Sequence, residues 1–372
     1  MAIQLFVPTF DIDECLVEVR ECLERGWTGL GYKSVEFEQL WTDYTGLPHS
    51  HFLNSNTSGL HLALEVFKET DGWNDGDEII TSPLTFVSSN LAILYSRFTP
   101  VFADVDQYLC IDPDSLLKKI TPRTRAVMFI GIGGNTGQFE RVKEICRERG
   151  IRLILDAAHM AGTRLNGETP TGDVTIYSYQ AVKNLGTADS GMICFQDAEH
   201  DAIVRKMSWM GINKDTFARS NDKGSYKWHY DVEYVGYKYN GNALMAGIAK
   251  VQLKRLDRDN AYRRQIAQWY AEGFAGNDRI GIVPTAEGCE SSRHLFQIHC
   301  DDRDQLMVKL NEAEIYPGVH YRDNRAYRMF ARDVDDCPNS TRMSERIISL
   351  PMHMRLTRAD VQFVIDRVNE YA

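Results

Sequence analysis

Short runs of apolar, largely β-branched residues alternate with stretches of helical period, and this alternation constrains the fold more than any other feature of the chain. The runs are 78–81 (EIIT), 101–105 (VFADV), 126–132 (AVMFIGI), 151–155 (IRLIL), 174–179 (VTIYSY) and 191–195 (GMICF). Helix-patterned stretches lie between many of them, at 57–70, 138–149 and 198–210. Runs that are apolar on both faces and separated by helices predict an α/β fold, a mostly parallel sheet wrapped by helices. Punctuation agrees: Gly150 stands as the residue closing the 138–149 helix, and Asp11 with Glu14 forms a capping box for a helix reaching about Arg25.

Past about residue 240 the texture changes. A long helical stretch (243–275), isolated strands such as 293–300 and a final helix opened by Thr357 and Asp360 predict a smaller α+β domain. The expected division is a large domain over 1–240 and a small one over 241–372, in keeping with 372 residues. The polar segments 214–230 and 332–342 read as loops.

Composition excludes several partners. With 42 Lys+Arg against 52 Asp+Glu, a formal charge of −10 has the wrong sign for a phosphate-backbone binder, so no nucleic-acid partner is expected. No apolar stretch approaches the ~18 residues that a membrane span requires, and the amino terminus has no basic and apolar leader, so a cytoplasmic protein without a membrane partner is expected. Eight scattered cysteines show no metal-ligand spacing, which predicts buried or free thiols and no metal site.

Ligand sites of parallel sheets lie beyond the carboxyl ends of strands, and Asp156, after 151–155 and before Ala157-Ala158-His159, is such a position. It is either a turn or N-cap aspartate or a buried functional carboxylate. After the next strand comes QAVKNLG (180–186), with Lys183 in a glycine-punctuated turn between two buried strands; it is either a solvated loop lysine or a partly desolvated one. A desolvated lysine has a lowered pKa and condenses with aldehydes. Together, a lysine and a strand-end aspartate are what pyridoxal phosphate needs, one to hold its aldehyde and the other to keep its ring nitrogen protonated. Its phosphate would suit the Asn54–Gly59 segment that opens the 57–70 helix, an N-terminus rich in hydroxyls that is otherwise an ordinary cap. Ser178 offers a further phosphate contact, and Phe86 is either core or a ring-stacking residue.

These segments together resemble the DegT/DnrJ/EryC1/StrS family of pyridoxal-phosphate nucleotide-sugar aminotransferases over nearly the whole chain. The similarity runs through GWTG (26–29), NTSGLHLAL (56–64), PLTFV (83–87), DAAH (156–159), YSYQAVKNLG (177–186), GYKYN (236–240), VHY (319–321) and SLPMH (349–353). The resemblance implies a fold-type I homodimer with active sites shared between subunits. It implies Lys183, Asp156 and His159 as catalytic residues, with His159 near the ring hydroxyl. Thr57, Ser58 and Ser178 would bind phosphate, and Phe86 would stack on the ring. Lys238 and Asn240 would reach the cofactor of the other subunit, while Trp27, Gln180, His320 and Tyr321 would contact substrate. The implied reaction passes the amino group of L-glutamate to a nucleotide-linked keto-deoxysugar, a 4-keto-6-deoxyhexose by family habit. The product is an amino sugar for surface polysaccharide such as the O-antigen of lipopolysaccharide, or for natural-product glycosylation.

Two departures bear on the substrate pocket: Tyr179–Val182 differs from the family's usual string before the lysine, and Gly131 stands where many relatives carry histidine. The glycines at 131, 133, 134 and 137 fail a dinucleotide fingerprint because position 136 is threonine, which argues against a nicotinamide-linked reductase. The alternatives are a sugar dehydratase of the same family, against which Lys183 argues, and a non-catalytic cofactor-binding regulatory protein.

Overall fold

The computed structural model describes residues 2–213, 230–331 and 336–372. Its main sheet has seven strands: β1 (His49–Leu53), β2 (Glu78–Thr81), β3 (Thr99–Phe102), β4 (Thr124–Ile130), β5 (Arg152–Asp156), β7 (Val174–Ser178) and β8 (Gly191–Phe195), in the order β1-β8-β7-β5-β4-β2-β3. The short β6 (Arg164–Leu165) pairs outside it with β10 (Cys289–Glu290). From β3 to β7 all neighbours are parallel, whereas β8 runs antiparallel to both β7 and β1. The expected mostly parallel sheet is present. Strand β1 was not foreseen, because HSHFL alternates polar and apolar residues only weakly; burial of His51 and Ser50 against their partners makes it a strand.

Topology explains the site. Asp156 ends β5 beside Ile176 of β7, and the antiparallel return of β8 pairs Ser178 with Gly191. The 179–190 loop therefore leaves and re-enters the sheet at the same end at which Asp156 emerges, and Lys183 is carried to the aspartate.

Apolar cores flank the sheet. One includes Phe37, Trp41, Phe129, Phe139 and Leu256, and the other Leu60, Phe67, Ile154 and Phe195. A third lies under the three-stranded sheet β9 (Gly281–Ile282), β11 (Phe296–His299) and β12 (Ile347–Leu350), and takes in Ile3 along with Ile266 and Val364. Ile3 joins it because the amino-terminal segment bridges to Ile315.

Local expectations met mixed outcomes. Gly150 is left-handed (φ 63°) after helix Phe139–Arg149, and Thr357 with Asp360 makes a reciprocal capping box. At Asp11 only half a box forms: its carboxylate accepts from the Glu14 N–H, while the Glu14 carboxylate is drawn to Lys254 at 2.7 Å. The 243–275 stretch is two helices, Ala243–Leu253 and Leu256–Gly273. The reading of 332–342 as loop is corrected in part: a helix, Pro338–Arg346, starts on a proline at its first turn, where a missing N–H costs nothing. Positions 332–335, and 214–229 of the other predicted loop, lie outside the described residues. All eight cysteines are free thiols. Among the described residues no helix is long and apolar enough to cross a membrane.

Candidate active site

A cavity of about 490 Å³ opens at the carboxyl ends of the parallel strands, and it gathers nine predicted residues: Thr57, Phe86, Asp156, His159, Ser178, Gln180, Lys183, His320 and Tyr321. Ser58, Trp27, Lys238 and Asn240 do not border it. The Ser58 hydroxyl is engaged in the helix cap, 2.7 Å from Asn54 Oδ1. The Trp27 indole N–H donates to the Leu30 carbonyl. Lys238 lies over the Trp209 ring, 2.9 Å from its centroid, its sequence neighbours Tyr237 and Tyr239 stack on each other, and Asn240 donates its side-chain amide to the Gly241 carbonyl. The 238–239 turn is tied to the helix cap of its own chain, where Asn54 N–H donates to the Tyr239 carbonyl and the Asn54 side chain to that of Lys238.

Asp156 is 3% exposed, and three donors fix its carboxylate. Oδ1 accepts from Asn56 Nδ2 (3.2 Å) and the Ala158 N–H (3.1 Å), and Oδ2 from the Ser89 hydroxyl (2.7 Å). Burial pushes its pKa up, and the Ser89, Ala158 and Asn56 hydrogen bonds, with the charge of Lys183, oppose the rise. Such a group strongly favours a cationic or N–H partner in the cavity. Asn56 and Ser89 carried no signal of this role in the sequence: each reads as an ordinary helix-start residue, and only the fold brings them to the end of β5.

The Lys183 amine faces the cavity without a hydrogen-bond partner among the described residues, and burial lowers its pKa to about 8 despite the nearby carboxylate of Asp156. An amine so poised is a nucleophile near neutral pH.

The opposite wall is built of rings. His159 Nδ1 accepts from the Gly133 N–H (3.1 Å), and its Nε2 lies 3.2 Å from the Tyr321 hydroxyl. Burial, then the Lys183 charge, holds its pKa well below the ordinary value, so it is neutral. His320 is likewise lowered to about 4 by burial, with Nδ1 at 2.9 Å from the Ser349 hydroxyl. Phe86 reaches the rim beside Tyr321, the ring centroids being 6.0 Å apart. Phe6 and His294 complete this wall and were not anticipated.

The glycine cluster also finds its reason here. At Gly134 (φ 88°) a Cβ would come within 2.2 Å of Ser292 Oγ, and at Gly131 within 2.0 Å of Met160 Sδ. Small residues allow the 291–294 segment and the DAAH turn to close on the sheet. Met160 occupies the space over Gly131 that a side chain there would need.

The residues fit pyridoxal phosphate. The buried carboxylate suits a protonated ring nitrogen, the unpaired lysine amine an aldehyde, and the N-terminus of helix Asn56–Asp71, with the hydroxyls of Ser55, Thr57, Ser178 and Ser190 around the cavity, suits a phosphate. When bound, that cofactor supplies the electron sink for transfer of an amino group.

Fold and cavity thus define a pyridoxal-phosphate-dependent aminotransferase. A model of the DegT/DnrJ/EryC1/StrS aminotransferase family matches residues 11–369, and the chain belongs to this family. It is 34% identical to the spore coat polysaccharide biosynthesis protein SpsC of Bacillus subtilis (strain 168) over 373 aligned positions, 96% of this chain and 94% of that protein. Among solved structures it is similar to the aminotransferase TlmJ from Streptoalloteichus hindustanus (30% identity, TM-score 0.91, 100% of this chain and 98% of that one). It is also similar to the pyridoxal-phosphate form of the sugar aminotransferase Spr1654, described as putative, from Streptococcus pneumoniae (26% identity, TM-score 0.90, 100% and 98%).

Proposed function

We propose that the protein moves the amino group of L-glutamate onto a nucleotide-linked keto-deoxysugar, a 4-keto-6-deoxyhexose, making an amino sugar for surface polysaccharide such as O-antigen or for natural-product glycosylation in the cytoplasm. The observation that carries this reading is the unpartnered Lys183 amine, with its pKa near 8, in one cavity with the buried Asp156 carboxylate. Lys183 would hold the cofactor by its amine and move the proton at the reacting carbon, Asp156 would keep a proton on the ring nitrogen, and His159 would flank the ring. Thr57 and Ser178, which border the cavity, serve the phosphate, with Ser58 left to the helix cap that holds Thr57 in place, and Phe86 covers the ring. Gln180, His320 and Tyr321 contact the sugar, and Trp27, outside the cavity, takes no part. Membership of a sugar aminotransferase family and similarity to a spore coat polysaccharide biosynthesis protein support the substrate class. Incubating the protein with glutamate and a panel of nucleotide keto-sugars, followed by mass spectrometry, tests it: a gain of one amine on a keto-sugar is expected, and reaction with none of the panel overturns the substrate.

The reading includes a homodimer in which Lys238 and Asn240 complete the neighbour's site. Exposed apolar residues on helix Ile12–Glu24 (Ile12, Leu16, Val17, Leu23) and on helix Tyr32–Thr45 (Val35, Leu40) support a partner surface. Mixing inactive Lys183→Ala protein with an inactive Lys238→Ala/Asn240→Ala variant should restore activity through hybrid dimers, each with one fully native site. No recovery, with exchange verified by native mass spectrometry, would show that each chain works alone.

A further inference from the structure

His294 is 1% exposed, and its ring packs between Phe6 (centroids 5.2 Å, 11° between planes) and His159 (4.3 Å, 33°) while lining the cavity. The network behind it decides which ring nitrogen bears the proton. Asn260 Nδ2 donates to the Ala161 carbonyl, which turns Asn260 Oδ1 toward Asn184. Asn184 Nδ2 then donates to Asn260 Oδ1 and to the Ser292 carbonyl, both at 2.7 Å. Flipping the Asn184 amide would point its oxygen at two acceptors, so Asn184 Oδ1 is fixed 3.0 Å from His294 Nδ1 and can only accept. His294 therefore carries its proton on Nδ1.

Its Nε2 is left as a bare acceptor with no hydrogen bond among the described residues, on a ring that lines the cavity. His159 is the opposite tautomer: Nδ1 accepts from Gly133, so Nε2 carries the proton that faces Tyr321. Burial first, then the neighbouring His159 ring and the charge of Lys183, pushes the His294 pKa well down, so its ring stays neutral.

We propose that His294 Nε2 is a fixed hydrogen-bond acceptor for a hydroxyl of the sugar substrate, and that Asn184 is the positioning residue that sets its tautomer. The inference rests on the proposed substrate class. An acceptor with no proton suits a sugar hydroxyl, which donates; it does not suit the carboxylates of glutamate, which also only accept, and the amino group of glutamate, its one donor, is the group given up in the reaction. His294 thus serves one half of the reaction and not the other.

Two measurements test this. In the cofactor-free protein, ¹⁵N NMR of labelled histidine should show an unprotonated Nε2 for His294 and a protonated Nε2 for His159, and Asn184→Leu should mix the tautomers of His294. A protonated His294 Nε2 in the native protein overturns the proposal. In single-turnover kinetics of the cofactor-loaded enzyme, His294→Phe keeps the packed ring and should slow the sugar half-reaction about tenfold, the loss of one hydrogen bond, with the glutamate half-reaction unchanged. His294→Gln, with an amide oxygen as acceptor, should recover part of the rate. Equal loss in both halves, or in neither, overturns the assignment. Native protein that reacts with glutamate but with no keto-sugar defeats the proposed substrate instead, and the NMR result still decides the tautomer.

Discussion

The two walls of the cavity are made differently. On the sheet side three donors converge on a single carboxylate, and a lysine without a partner faces it. On the other side Phe6, His159, His294, His320 and Tyr321 form a pile of neutral rings, His159 held by two hydrogen bonds and His294 and His320 by one each, which assign a proton or anchor an edge. The sheet wall keeps charge in a desolvated place by over-determining it, whereas the ring wall excludes charge and offers shape and single donors or acceptors. A site built this way separates its tasks: the sheet wall drives proton transfer, and the ring wall selects and orients what reacts.

The sharpest way to break this contrast is at Lys183. Lys183→Ala should abolish covalent fixation of the cofactor by borohydride and cut turnover by about a thousandfold or more, read by absorbance and by product formation. Near-native turnover in this variant would remove the basis of the sheet wall's role. Asp156→Asn should lower kcat by about a hundredfold, because an amide does not hold a proton on the ring nitrogen, while cofactor affinity measured by fluorescence titration falls much less. An unchanged kcat would refute that role.

Removing one hydroxyl from each wall compares the two directly. Ser89→Ala takes a 2.7 Å donor from the Asp156 carboxylate and should cost about tenfold in kcat. Ser349→Ala takes the partner of a neutral His320 and should cost about threefold, in KM for the acceptor more than in kcat. Equal effects would show that the walls do not differ as described.

The smallest effect is on stability. The Lys183 pKa of about 8 lies below its unfolded value, so the folded protein bears a buried charge at pH 7 and sheds it as pH rises through 8. The unfolded chain binds the extra proton up to about pH 10, and stability grows across that window. In cofactor-free protein Lys183→Met should therefore raise Tm by roughly 2 to 4 °C at pH 7, and the gain should fade toward pH 10, as measured by calorimetry.

Strand period, helix caps, Asp156 at a strand end and Lys183 in its turn were determined by the sequence, because each depends on neighbours a few residues away. The register of β7 against β8 is set by a non-local pairing, and it is this register that carries Lys183 to Asp156. The same holds for the supports and for the ring wall. Asn56 lies 100 residues from Asp156, Ser89 67 residues, and Asn184 110 residues from His294. In sequence each of these is an unremarkable polar residue; its role exists only once packing has removed water and left a single geometry in which its donors and acceptors are satisfied.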